Sequence, residues 1–401
     1  MDQIEHKYVE VNGLKLHVAE IGSGQSPAVV FLHGFPEIWY SWRHQMIAVA
    51  NAGFRAIALD YRGYGLSDPP PEPEKTTYLD LISDLLALFD ALSISKAFLI
   101  SKDFGAMVAS IFVVLYQERV SGFVTLGLPF YLPHFLTSHL PEGFYVSRWK
   151  EPGRAESDFG RFDAKTVVRN VYILFSRSEI PIALEDQEIM DLVDSSTPLP
   201  SWFTEEDLAT YGMLYEKSGF QTALKVPYRS FHEDINKPDP KVEVPALLIM
   251  GEKDYALNFT EMADYVRSGK VKTFVPNLEI NFIPEGTHFI QEQLPAQVND
   301  LILNFLRSHR DPDLRSGSCK GLGVGSDTGF IQGLVKASPI LAESVSIASS
   351  IPSISAPLAA RTSNKFEKRK QMWEWDESIV DDATKRHNKL MKNRIQQEEL
   401  L

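Results

Sequence analysis

The residues Phe98-Leu99-Ile100-Ser101-Lys102-Asp103-Phe104-Gly105-Ala106 set a carboxylate where one apolar run stops and another starts. An apolar strand, a sharp turn that needs small neighbours and an apolar helix together form an elbow that lifts one side chain off the carboxyl end of a sheet. Here that side chain is Asp103, with Ser101 and Gly105 keeping the bend open. A serine would need a base to attack, whereas a carboxylate is already ionised at neutral pH and can displace a leaving group from a saturated carbon. The product is an ester on the protein itself, which a second group must hydrolyse.

That group should be a base placed after a late strand. Glu285-Gly286-Thr287-His288-Phe289 follows the apolar run ending at Ile283, and of the ten histidines His288 is the one in this position. His17, His33, His44 and His232 read as structural. An acid should hold the other imidazole nitrogen, fixing the tautomer and stabilising the imidazolium. Gly251-Glu252-Lys253-Asp254-Tyr255 follows the run at 246–250 and supplies Asp254, with Glu252 as its competitor.

The elements that must position these groups follow from pattern. Residues 7–20 read as a hairpin around Asn12-Gly13. Ala28–Leu32 and Phe54–Leu59 are short apolar runs of the kind buried on both faces of a sheet, with helix from Trp42 to Ala52 between them. A helix from about Tyr78 to Leu92 places Leu79, Ile82, Leu85, Leu86 and Phe89 on one stripe. The elbow and a strand at Val120–Leu126 complete a strand and helix alternation that predicts an α/β fold with a mostly parallel, doubly wound sheet. From about 130 to 239 that alternation stops in favour of helical, aromatic-rich sequence, and the strand pattern returns at Ala246–Met250. The interval reads as an inserted helical lid over the carboxyl ends of the strands, where such sheets bind ligands. A strand at Glu279–Ile283 and a helix from Phe289 to His309 close the first domain, 1–310. Residues 311–401 read as a Gly, Ser, Ala and Pro-rich linker or disorder, ending in a charged tail that is helical at most in part.

A net charge of -13 and a pI near 5.3 disfavour nucleic acid and anionic membranes, both of which want a basic face. The single cysteine, Cys319, forms no internal disulfide, and the first residues have neither the apolar core of a signal peptide nor the character of a transit peptide, so the cytoplasm is the expected location. No apolar run reaches the length of a membrane span.

Taken together, His33-Gly34-Phe35-Pro36, the Asp-x-Arg-Gly-x-Gly-x-Ser run at 60–67, the Asp103 elbow, Asp254 and His288 resemble the epoxide hydrolases of the α/β-hydrolase family, above all the soluble plant type, over about residues 5–308. The resemblance implies an α/β-hydrolase fold. It implies hydrolysis of an epoxide to a vicinal diol, with a small-molecule epoxide and water as the only partners and no metal or cofactor. It implies two lid tyrosines that donate to the epoxide oxygen, Tyr145 in Tyr145-Val146-Ser147-Arg148-Trp149 and Tyr228 in Pro227-Tyr228-Arg229, with Tyr172, Tyr211 and Tyr215 as rivals. It also implies an oxyanion hole made by the backbone N–H groups of Phe35 and Phe104. The chain departs from the family at the elbow, where Ser101, Lys102 and Phe104 replace a glycine, a histidine and a tryptophan. Lys102 is expected to point away from the cleft; an ammonium brought close would hold Asp103 ionised and blunt its attack. The alternatives are a haloalkane or haloacid dehalogenase on the same fold, and a non-catalytic ligand-binding relative. Serine-ester hydrolysis is set aside because no G-x-S-x-G occurs. Monomer and homodimer both stay open.

Overall fold

The computed structural model describes residues 3–130, 140–230 and 240–310. The chain divides into two units, Met1–Gly321 and Leu322–Leu401, and every described residue belongs to the first. His232, Cys319 and the tail at 311–401 lie outside the described residues.

One eight-stranded sheet runs through the described residues. Its strands are β1 (Glu5–Val11), β2 (Leu14–Ile21), β3 (Ala28–Leu32), β4 (Arg55–Leu59), β5 (Ala97–Lys102), β6 (Val120–Leu126), β7 (Ala246–Gly251) and β8 (Leu278–Ile283), in spatial order β1-β2-β4-β3-β5-β6-β7-β8. The hairpin β1–β2 and the β2–β4 pair are antiparallel. All other neighbours are parallel. β3, β4 and β5 are buried along their whole length, as strands covered by helices on both faces must be.

Helices α1 (Arg43–Asn51), α2 (Tyr78–Ala91) and α3 (Phe104–Leu115) connect the parallel strands. In α3 every residue from Phe104 to Val113 is buried, so this helix is apolar all round and sits in the core. A capping box between Thr77 and Asp80 starts α2. The buried stripe of α2 is Tyr78, Leu81, Ile82, Leu85, Leu88 and Phe89, whereas Leu79 is 48 % exposed, so the expected stripe is rotated toward Leu81 and Leu88.

Between β6 and β7 the described residues hold helices and no strand: α4 (Tyr145–Lys150), α5 (Arg154–Phe159), α6 (Ala164–Phe175), α7 (Glu205–Ser218) and α8 (Gln221–Lys225). After β7 come α9 (Met262–Arg267), α10 (Ile290–Gln293) and α11 (Pro295–Ser308). The single closing helix expected from Phe289 to His309 is two helices. It breaks because Pro295 lacks an N–H and restricts Leu294 to a non-helical conformation, while Pro295 itself fits the first turn of α11. No helix among the described residues is long and apolar enough to cross a membrane.

Candidate active site

The elbow is built by close approach of two backbones. Asp103 links β5 to α3 at φ 51° and ψ −132°, a conformation that costs a non-glycine residue on the order of 1–3 kcal/mol and persists only where the surroundings enforce it. They do so through the loop after β3. A Cβ on Gly105 would stand 2.5 Å from the His33 carbonyl oxygen and 2.6 Å from that of Leu32, and one on Gly34 would stand 2.4 Å from Asp103 Cβ. The Asp103 N–H donates to the Leu126 carbonyl at 3.1 Å, which ties the bend to β6.

Two backbone donors meet the raised carboxylate. The Phe35 N–H donates to Asp103 Oδ1 at 3.1 Å. The Phe104 N–H also favours the ionised form. His288 Nε2 lies 3.3 Å from Asp103 Oδ2, within ion-pair range but without hydrogen-bond alignment. Burial by itself would raise the Asp103 carboxyl; the adjacent His288 imidazole, the Lys102 ammonium and the Phe104 N–H outweigh it and bring the pKa down to about 2. The Asp103 carboxylate is therefore an anion at neutral pH.

His288 Nδ1 is 2.9 Å from Asp254 Oδ1, which also accepts the Ala256 N–H at 2.9 Å. Burial opposes a charged imidazole, yet the hydrogen-bonded Asp254 carboxylate and the nearby Asp103 carboxylate raise the His288 pKa. The competitor Glu252 is exposed and pairs with Arg267. Asp254, and not Glu252, is thus the carboxylate that contacts the imidazole.

Tyr145, at the start of α4, and Tyr228, just after α8, meet with ring centroids 6.1 Å apart and planes at 84°. Phe35 lies 5.6 Å from the Tyr228 ring, and Trp149 and Phe175 lie 5.1 and 4.9 Å from that of Tyr145, giving both phenols apolar walls. Burial first, and the Asp103 charge in addition, raise the pKa of both phenols, so each keeps its proton and is a donor at neutral pH. The rivals have other tasks. Tyr172 and Tyr211 donate to Glu292 at 2.8 and 3.2 Å, and Tyr215 donates to the Glu37 carbonyl at 3.4 Å.

His33 hydrogen-bonds the Gly34 carbonyl at 2.9 Å through Nδ1, and burial brings its pKa down to about 4, which keeps it neutral. His17 joins Asp60 and His6, and His44 sits partly buried on α1.

Lys102 departs from expectation. Its side chain is buried, and among the described residues Nζ finds no hydrogen-bond partner. Nζ lies 5.5 Å from the Phe289 ring centre, within reach of a cation–π contact. A Cβ on Gly127 would stand 3.1 Å from Asp254 Oδ2, 3.3 Å from Lys102 Nζ and 3.6 Å from His288 Cε1, so the ammonium converges with the acid and base on one point. The strand that ends in the elbow turns its last side chain inward because β5 is covered on both faces.

Two buried polar neighbours of the site escaped the sequence reading. Glu37 is fully buried, accepts from the Gly34 N–H at 2.9 Å and bonds Gln291; burial pushes its carboxyl up to about 7, against the pull of Lys102. Tyr255, the residue after Asp254, has its hydroxyl 3.2 Å from that of Tyr145 and its ring 4.7 Å from the imidazole of His288. Its position beside the chosen acid at a strand end was the available signal.

Comparison with known proteins gives consistent relatives. The alpha/beta hydrolase fold family matches residues 27–294. The chain is 37 % identical over 324 residues to epoxide hydrolase 2 of Siraitia grosvenorii, covering 77 % of this chain and 99 % of that protein. It is 31 % identical over 332 residues to bifunctional epoxide hydrolase 2 of Mus musculus, of which it covers 58 %. Among solved structures it is similar to an epoxide hydrolase from Vigna radiata, with a TM-score of 0.71 and 34 % identity over 77 % of this chain and 99 % of the other. Potato (Solanum tuberosum) epoxide hydrolase I gives a TM-score of 0.69 and 31 % identity over 76 % of this chain and 99 % of the other.

Proposed function

We propose, since the chain belongs to the alpha/beta hydrolase fold family and within it stands with the epoxide hydrolases, that it hydrolyses an apolar epoxide to a vicinal diol through an ester on Asp103. The observation that carries this reading is a carboxylate at an elbow, held between backbone N–H donors and a His288–Asp254 pair, with tyrosine donors in the same buried pocket.

Binding places the epoxide oxygen against the hydroxyls of Tyr145 and Tyr228. Phe35 holds Oδ1, which leaves Oδ2 to attack a ring carbon. The ring C–O bond breaks, its electron pair goes to oxygen, and a tyrosine supplies the proton, because an unprotonated alkoxide is a poor leaving group. His288 then takes a proton from water, and the hydroxide attacks the ester carbonyl carbon. The oxyanion rests on the Phe35 and Phe104 N–H groups. Collapse releases the diol as the proton on His288 passes to the departing oxygen; Asp103 keeps one oxygen of the water, and the second water proton, left on its carboxyl, returns to the tyrosine phenolate, which restores both groups. Phe35, Trp149 and Phe175 suit an apolar substrate. A dehalogenase would want an indole after the nucleophile for halide, and Phe104 has none.

A single turnover in heavy-oxygen water should leave the label in the peptide containing Asp103, and Asp103→Asn should lower diol formation by roughly 10⁴-fold or more. Label found only in the diol would rule out the ester, and absence of diol from the unmodified chain across aromatic and aliphatic epoxides would rule out the reaction.

A further inference from the structure

Tyr145 has a hydroxyl neighbour that the mechanism above does not use. Tyr255 follows Asp254 at the carboxyl end of β7, on the sheet domain, while Tyr145 comes from α4 in the inserted segment; their oxygens lie 3.2 Å apart. The rings meet edge to face at 6.1 Å, and Phe175 and Phe259 flank the Tyr255 ring at 5.2 and 6.1 Å. Tyr255 is buried, so its hydroxyl is directed at Tyr145 in surroundings of low polarity.

A phenol has one proton. When Tyr145 gives its own to an epoxide oxygen, it can only accept from Tyr255. We propose that Tyr255 is a positioning residue for ring opening: it donates to Tyr145, aims that proton at the substrate and stabilises the phenolate left behind. This rests on the epoxide reading of the site. In the step, Asp103 Oδ2 bonds to carbon and loses its charge, the ring C–O bond breaks, and the proton moves from Tyr145 to the ring oxygen. One negative charge thereby moves from Asp103 to Tyr145, where the Tyr255 O–H meets it. Burial and the Asp103 charge raise the pKa of both phenols, so both keep their protons until ring opening begins.

Tyr255→Phe keeps the ring against His288 and removes only the hydroxyl. Hydrogen bonds to charged groups are strong enough that ester formation in a single turnover should slow by about ten- to a hundredfold, with ester breakdown unchanged. In a Tyr145→Phe background, with Tyr228 still able to support turnover, Tyr255→Phe should cost nothing further. A structural role would instead cost the same in both backgrounds, and that result would overturn the proposal, as would slowing confined to ester breakdown or no slowing at all. Failure of the unmodified chain to open any epoxide would instead defeat the reading beneath it.

Discussion

Lys102 is the residue that most distinguishes this site. A buried ammonium without a hydrogen bond is costly, and the groups that offset the cost are Glu37, Asp103 and Asp254. Its effect on the base follows in sign. Asp254 raises the His288 pKa and Lys102 lowers it, so removing the ammonium lets the imidazole keep its proton to higher pH. In the proposed reaction, water activation needs the neutral imidazole. Lys102→Met should therefore move the acid limb of ester breakdown to higher pH, read by stopped-flow over a pH series. An unmoved limb would mean that the ammonium is screened from the imidazole. For Asp103 the same change removes one stabiliser of the anion, leaving His288 and the Phe104 N–H in place.

At the scale of elements, the inserted helices are tied to the sheet domain by a buried polar network. Arg43, which opens α1, pairs with Asp207 at 2.9 Å and with Glu292 of α10. Asp207 also closes the capping box of α7 with Thr204, and Tyr172 of α6 donates to Glu292 while stacked between Phe203 and Phe289 at 4.1 Å from each. One guanidinium thus joins a helix terminus in the insertion to the segment that follows His288. Removing one partner of a buried ion pair strands the others, so Arg43→Met should destabilise the fold by about 3 kcal/mol in chemical unfolding. Loss under about 1 kcal/mol would show that water replaces the guanidinium freely.

For the molecule as a whole, the described residues contain the sheet, the covering helices and every group of the proposed reaction within 3–310. About three quarters of this chain, 77 %, spans 99 % of the Siraitia grosvenorii relative. A chain of residues 1–310 should therefore fold with one cooperative transition and match the full chain in kcat/KM to within about twofold, a difference worth less than about 0.5 kcal/mol. A larger loss on a panel of epoxides would give residues 311–401 a part in catalysis or stability.

The sequence by itself determined the parallel sheet and singled out Asp103 and His288 as the proposed nucleophile and base, because each is a local pattern: Asp103 between small residues, His288 after a late strand, five- to seven-residue runs such as β3 and β6. It chose Asp254 over its competitor Glu252 without a geometric ground, since the two share one loop and differ in which faces the imidazole. Tertiary structure puts Asp254 against the imidazole and Glu252 against Arg267. It also decided that Lys102 turns into the core, that Leu79 faces water and that Tyr255 finds Tyr145 110 positions away in the chain. Those outcomes depend on how side chains from separate elements meet, and no periodicity within one element encodes such a meeting.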